Sequence, residues 1–218
     1  AEGRAHDRAK AQHNRLPWEM VTGSTGFTAQ ERADTARLIA GSAGFQDVAL
    51  ERISDAILNG EHGKARIKKL EFERGHTLWE EGGDITRDGI YYVFSGKCSL
   101  TRNVKVVANK DIRQLDPELA AMARGTQKIL EAFEVGTATQ AESLGDEAVL
   151  GAATYKDTAR AVTECVLIFI PSELVNTRFS GALPRLHEQS HLRVAARDLR
   201  HARRAALFAE DGEEEEDT

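Results

Sequence analysis

Two histidines are the first residues whose spacing could serve chemistry. His187 and His191 lie four positions apart, so on a helix they fall on one face and could bind a metal ion together. A zinc site needs at least one further protein ligand, and the neighbouring sequence offers none. We therefore interpret the pair as part of a solvated helix face and predict no metal site.

The two cysteines, Cys98 and Cys165, exclude several other kinds of site. Two thiols are too few for a disulfide framework, an all-cysteine zinc site or an all-cysteine iron–sulfur cluster. Both fall within predicted strands, where a free cysteine packs as a small apolar residue. The simplest interpretation is an intracellular, reducing compartment, with the organelle left open because a targeting peptide could have been removed.

Motifs of the common enzyme classes are absent from the sequence. It contains no Ser-His-Asp elbow, Walker loop, HExxH helix, kinase signature or dinucleotide-binding fingerprint. We therefore predict that the protein is not an enzyme.

The charge distribution argues against nucleic acid as a partner. The net charge is −6, but seven of the 35 acidic residues lie in the last nine positions, and without them the 29 Lys and Arg leave a net charge near +1. A dedicated nucleic-acid binder normally carries a basic excess over one face. No apolar run approaches the roughly 18–20 residues that a bilayer span requires. We predict no nucleic-acid partner, no membrane span, and a disordered acidic tail over residues 209–218.

The chain divides into an arm, a helical lead-in, a strand-rich region and terminal helices. Residues 1–28 are polar with turn-forming Pro and Gly, which favours an arm. Residues 29–64 carry two helical patterns: one begins after Thr28, where Glu31 completes a capping box, and one runs over 47–58. Residues 172–208 again show a helical pattern, and this long helix offers a surface for oligomerisation.

Residues 65–171 contain short apolar runs with strand-like spacing. Gly75, Gly82 and Gly96 separate them and are interpreted as turn residues. Many short strands joined by glycine turns indicate a β-sandwich or β-barrel. Residues 102–141 interrupt the pattern, and apolar spacing over 117–133 predicts a helix. We therefore expect a helical insertion in a mainly β domain with flanking helices.

Two stretches resemble the cyclic-nucleotide-binding domain family. The first is F-x-x-G-x-x-L-x-x-E-G-G-D followed by I-Y-Y-V-F-S-G-K-C-S-L, over residues 72–100. The second is L-G-D-E-A-V-L-G-A-A-T-Y-K-D-T-A-R-A-V-T-E-C-V-L-I-F-I-P, over residues 144–171, which is similar to the family's phosphate-binding cassette and last two strands. The resemblance implies a jelly-roll-like β-barrel with helices before and after it.

The resemblance also implies a ligand pocket, which this sequence alters. In the family a Gly precedes a short helix, an adjacent Glu holds the ribose, and an Arg about ten residues on pairs with the phosphate. Here the Gly is Gly145, the Glu position carries Asp146, and the Arg position carries Tyr155. A tyrosine hydroxyl cannot neutralise a buried phosphate. The altered pocket would comprise these residues and their neighbours Glu147, Ala148, Lys156 and Thr158.

Two functions remain open at this stage. The first is a non-catalytic module with a degenerate pocket and no cofactor, acting as a structural or regulatory subunit through contacts with other protein subunits. The second is a cAMP or cGMP sensor that uses another cation, such as Lys156 or Arg160, and moves its C-terminal helix on binding the ligand. The arginine-rich helix over 185–204 could also face an acidic partner or be neutralised by the acidic tail.

Overall fold

The computed structural model describes residues 27–58, 66–85, 89–108 and 127–210. The predicted arm lies almost entirely outside these ranges. So do the centre of the predicted insertion, at 109–126, and the acidic residues after 210.

Two helices precede the strands. Helix α1 (Ala29–Gly41) begins with the predicted capping box, in which Glu31 N donates to Thr28 Oγ1 at 3.2 Å and Thr28 N donates to Glu31 Oε2 at 2.8 Å. Both bonds satisfy backbone donors that a helix start leaves free. Helix α2 (Leu50–Leu58) begins three residues later than predicted.

The described residues form eight strands in two antiparallel four-stranded sheets. The strands are β1 (Lys68–Phe72), β2 (Thr77–Trp79), β3 (Gly89–Ser95), β4 (Cys98–Ala108), β5 (Gln127–Ala138), β6 (Ser143–Leu144), β7 (Thr158–Ala161) and β8 (Cys165–Pro171). One sheet has the order β1-β8-β3-β6 and the other β2-β7-β4-β5. Helix α3 (Asp146–Val149) lies between β6 and β7, and helices α4 (Ser172–Arg178) and α5 (Leu183–Glu210) follow β8. The mainly β architecture with flanking helices is as predicted.

The helix predicted over 117–133 is wrong in its last seven residues, 127–133, which belong to β5. Ile129, Leu130 and Phe133 have a spacing that fits a helix, but a short apolar pattern cannot by itself distinguish helix from strand. Phe133 is half-buried, Glu134 exposed and Val135 buried, which is the alternation of a strand. Pairing with β4 from Cys98 to Ala108 supplies the backbone hydrogen bonds that decide the outcome.

The core forms two layers because residues on the first sheet alternate between its faces. Tyr91 and Leu167 face the second sheet, whereas Tyr92 and Ile168 face the helices. The outer layer also holds Phe45, which makes edge-on contacts with Tyr92 and with Phe179 after α4. The outer layer therefore joins the helices to the first sheet. Within the described ranges, no helix has both the length and the apolar composition to cross a membrane.

The turn between β3 and β4 requires a glycine. Gly96 has φ +92°, and a Cβ atom there would lie 2.8 Å from Cys165 Sγ and against the Glu164 carbonyl oxygen. Gly82 also has a positive φ, of +77°, but a Cβ atom there would meet nothing within 4 Å.

These two glycines form a matched pair for mutation. We expect Gly82→Ala to lower the free energy of unfolding by about 1–2 kcal/mol, because only backbone strain is added. Gly96→Ala should lower it by about 1–3 kcal/mol more, because the methyl group also meets backbone and a buried sulfur atom. Urea unfolding of both variants measures the difference, and equal losses would contradict the steric argument.

Glu31 links the start of α1 to the sheet. Its Oε1 lies 2.7 Å from Lys69 Nζ, and hydrogen bonds from Lys69 and Thr28 lower the pKa of Glu31 to about 2. The stabilisation is complete above the usual pKa of 4.5 and is lost as the pH falls towards 2, because the folded state must then take up the proton.

A Glu31→Gln variant separates the ion pair from the cap, since glutamine also completes a capping box. At neutral pH we expect the variant to be less stable by up to about 1 kcal/mol, as for a solvent-accessible pair. The difference in free energy of unfolding between the two proteins should shrink as the pH falls from about 4.5 to about 2. A difference that is constant with pH, measured by denaturant unfolding, would refute the assignment.

Candidate functional site

The altered cassette begins at the end of β6, where the chain turns sharply into α3. Gly145 precedes the helix with φ +84°, in the left-handed region that glycine adopts most readily. The next three residues, Asp146, Glu147 and Ala148, are all buried, and Asp146 has no exposed surface. Two carboxylates enclosed in this way require cationic partners.

Helix α5 supplies those cations. Arg193 donates from Nε and Nη2 to Asp146 Oδ1 at 2.9 and 2.7 Å, and Arg197 Nη1 donates to Asp146 Oδ2 at 2.9 Å. Arg197 Nη2 also donates to Glu147 Oε1 at 2.8 Å, and Ser190 Oγ donates to Asp146 Oδ1 at 3.1 Å. The Asp146 carboxylate, which the sequence resemblance aligns with the family's ribose-binding Glu, is therefore held by the protein's own C-terminal helix.

A second group of charges extends this contact to β4. The buried Asp157 carboxylate lies 2.7 Å from Arg197 Nε and 2.6 Å from Arg102 Nη2. Arg102 Nη1 in turn donates to Asp198 Oδ1 at 2.8 Å, and Lys156 Nζ donates to Asp198 Oδ2 at 3.1 Å. We call these eight residues the ion cluster: Arg102, Asp146, Glu147, Lys156, Asp157, Arg193, Arg197 and Asp198.

The pKa shifts follow from burial and from the opposite charges nearby. Burial raises the pKa of Glu147, and the charge of Arg197 only partly opposes it. Burial would lower the pKa of Arg197, but the charges of Glu147 and Asp146 outweigh it and the net shift is upward. Burial likewise tends to raise the pKa of Asp198, but hydrogen bonds from Arg102 and Lys156 bring it below its usual value. Arg197 therefore stays charged although its side chain and the carboxylates that it contacts are buried.

Tyr155, which the sequence resemblance aligns with the family's phosphate-binding Arg, lies inside the sandwich. The residue is 5% exposed, and its ring stacks on Trp79 at 4.4 Å between ring centroids, with 15° between the planes. Tyr91 contacts Trp79 at 5.4 Å and Phe169 at 4.8 Å. Four aromatic rings thus occupy the space next to the cassette.

The remaining predicted pocket residues have structural contacts. Thr158 Oγ1 accepts a hydrogen bond from Glu81 N at 3.0 Å, beside the turn at Gly82. Lys156 belongs to the ion cluster, and the exposed Arg160 donates from Nε to the Gly75 carbonyl at 2.7 Å. The two histidines of α5, His187 and His191, are exposed.

A cleft of about 350 Å³ separates α5 from the hairpin β4–β5. Arg193, Arg197 and Arg200 line its helix side, and Leu100 and Thr137 line its sheet side. Arg200 Nη1 donates to the Val135 carbonyl oxygen, a neutral acceptor, at 2.8 Å. Glu142 also lines the cleft, so its wall carries three arginines and one glutamate.

Sequence reasoning missed the partners of the cassette. It related the arginines of the C-terminal helix to the acidic tail or to an outside partner, whereas Arg193 and Arg197 contact the cassette. The signal was their spacing of four residues, which places both side chains on one helix face. Arg102 and Asp157 carried no comparable signal, because only the tertiary fold brings them together.

Comparison with known proteins supports the fold. No model of a protein family matches the sequence, and no curated protein is significantly similar to it. Among solved structures, the regulatory domain of Toxoplasma gondii PKA with cAMP aligns with 71% of this chain at 16% identity and a TM-score of 0.50. A mutant regulatory subunit of a cAMP-independent protein kinase A from Trypanosoma brucei, bound to cAMP in the A site, aligns with 80% at 12% identity and a TM-score of 0.50.

The aligned part spans 46% of the first of these chains and 51% of the second, about half of each. Similarity at this level of identity concerns the fold alone. The chain has the fold of a cyclic-nucleotide-binding domain, which confirms the fold that the sequence resemblance predicted.

The ion cluster predicts a large difference between two arginines of α5. Arg197→Met removes a cation from three buried carboxylates and should lower the free energy of unfolding by about 3–5 kcal/mol. Arg185→Met is the control, because Arg185 pairs with Asp47 at 2.8 Å while both side chains are about half exposed. We expect Arg185→Met to lower the free energy of unfolding by less than about 1 kcal/mol. Urea unfolding of the two variants gives the comparison, and similar losses would show that the cluster is not the stabilising contact.

Proposed function

We propose that the chain is a non-catalytic module with an altered ligand pocket, and that it acts as a structural or regulatory subunit through contacts with other proteins. The observation that carries the proposal is the fully buried Asp146, whose carboxylate is held by Arg193 and Arg197 of α5. A ribose hydroxyl would have to compete with two charge-assisted contacts, which are stronger than a neutral hydrogen bond.

The aromatic stack supports the same proposal. A cyclic phosphate is an anion, and the position where the family places its counter-charge holds the ring of Tyr155 against Trp79. Moving this ring would break a stacking contact and leave the phosphate without an arginine fork. The other two cations considered from the sequence, Lys156 and Arg160, already have protein partners.

The fold by itself is compatible with a module that does not respond to cAMP. The Trypanosoma brucei neighbour is a mutant bound to cAMP, but the kinase it belongs to is described as cAMP-independent, whereas the Toxoplasma gondii domain is described only with cAMP bound. Since one architecture accommodates both descriptions, function must be argued from the residues of the site. In this chain Asp146 is bound by Arg193 and Arg197, and Tyr155 stacks on Trp79.

The cleft beside α5 favours the second candidate, a sensor of cAMP or cGMP. Arg193 and Arg200 line it, so an anionic ligand could find its counter-charge on the helix instead of on the cassette. Binding there would act directly on α5, the helix that the sensor hypothesis requires to move. This candidate makes the opposite prediction for nucleotide binding.

Isothermal titration with cAMP and cGMP tests both candidates. For the unmodified protein we expect no saturable binding, with any Kd weaker than about 1 mM. Tyr155→Arg should gain cAMP binding by about tenfold or more over Tyr155→Met, because both remove the stacked ring but only arginine supplies a charged donor.

Saturable micromolar binding to the unmodified protein would overturn the first proposal. If Arg200→Met then abolished that binding while Arg203→Met did not, the sensor candidate would be correct. Arg203 is a suitable control because it lies on the same helix, is exposed, and does not line the cleft.

A further inference from the structure

The two cysteines, 67 positions apart in sequence, meet between the two sheets. Cys98 is the first residue of β4 in one sheet, and Cys165 is the first residue of β8 in the other. Their sulfur atoms lie 3.7 Å apart, and both side chains are buried as free thiols. The sequence prediction that they fill space as small apolar residues does not account for this pairing.

The adjoining turns form a clasp that holds the pair in place. We use this name for residues 96–97, between β3 and β4, and residues 162–164, between β7 and β8. Val162 N donates to the Lys97 carbonyl at 2.8 Å, and Lys97 N donates to Thr163 Oγ1 at 3.0 Å. These bonds fix the starts of β4 and β8 relative to each other, and with them the two sulfur atoms.

The two thiols differ in their surroundings. Cys98 is fully buried and its S–H donates to the sulfur of Cys165. Cys165 is 2% exposed and lies directly under the clasp, where the Lys97 and Thr163 carbonyl oxygens lie 3.2 and 3.3 Å from its sulfur and Gly96 packs against it. Burial, and next the charge of Cys165, raise the pKa of Cys98. Cys165 is thus the outer sulfur and Cys98 the inner one.

We propose that Cys98 and Cys165 are a redox modification site, at which a hydroperoxide converts the thiol pair into a disulfide bond between the two sheets. In the first step the Cys165 thiolate attacks one peroxide oxygen, which gives a sulfenic acid and, with hydrogen peroxide, one water molecule. In the second step Cys98 attacks the sulfenic sulfur, the S–S bond forms, and a second water molecule leaves. Two thiols are oxidised and one peroxide is reduced, so atoms and electrons balance.

A bond at this position would affect the whole domain. It would join two strands of opposite sheets that are far apart in sequence, which restricts the unfolded chain more than a short loop would. The oxidised protein should therefore unfold at a higher temperature than the reduced protein. It would join β4 to β8 directly beside the clasp, and neither cysteine belongs to the ion cluster.

The experiment treats the reduced full chain with hydrogen peroxide and counts thiols with a disulfide reagent in denaturant. We expect two reactive thiols before treatment and none after it, a mass lower by two hydrogen atoms, and one peptide pair joined through Cys98 and Cys165. The thermal midpoint should rise by several degrees and return to its starting value with a dithiol reductant.

Single-cysteine variants test the order of the two sulfur atoms. Cys98→Ser should accumulate a sulfenic acid on Cys165 that dimedone traps, whereas Cys165→Ser should react at least tenfold more slowly with peroxide. Alanine at the same positions provides a second pair of variants if serine disturbs the core.

Three results would overturn the proposal: two thiols remaining after treatment of the unmodified protein, added oxygen as the main product, or disulfides formed only between chains. None of these readouts depends on nucleotide binding, so the outcome is independent of the proposed function.

Discussion

The ion cluster, in which Arg102, Asp146, Glu147, Asp157 and Arg197 are buried, is the contact on which the arrangement of this molecule depends. Four carboxylates and four cations join the cassette, the middle of β4 and the C-terminal helix. Charges withdrawn from water are tolerated only when each finds well-placed partners, so the geometry of every member constrains the others. Helix α5 is therefore held at a defined position along its axis, which apolar packing alone would specify less strictly.

Two positions of the cassette stabilise the fold in different ways. At Asp146 the acidic group is neutralised by arginines of the chain itself. At Tyr155 an aromatic ring joins the core by stacking on Trp79. Both side chains therefore tie the cassette to the rest of the domain.

Much of the fold could be predicted because its turns carry local signals. Glycines between apolar runs marked the strands, and Thr28 with Glu31 marked the start of α1. The segment 127–133 was misjudged because Ile129, Leu130 and Phe133 suit a helix as well as a strand, and only pairing with β4 decides between them. At the site, Asp146 and Tyr155 were identified from the cassette pattern. Their partners were not: the spacing of Arg193 and Arg197 places both on one helix face but does not say what that face contacts, and the stacking of Trp79 on Tyr155 depends on the tertiary fold alone.

The pairing of the first and last strands has a consequence for the order of folding. Strand β8 lies between β1 and β3, and Lys68 pairs with Phe169 about a hundred residues further along the chain. During synthesis the first sheet cannot be completed until β8 has been made, because β8 pairs with both β1 and β3. Contacts of such long sequence separation slow folding because the loop entropy is lost before the contact is gained. The hairpin β4–β5, by contrast, brings neighbouring segments together, so it is the part of the sandwich that can form first.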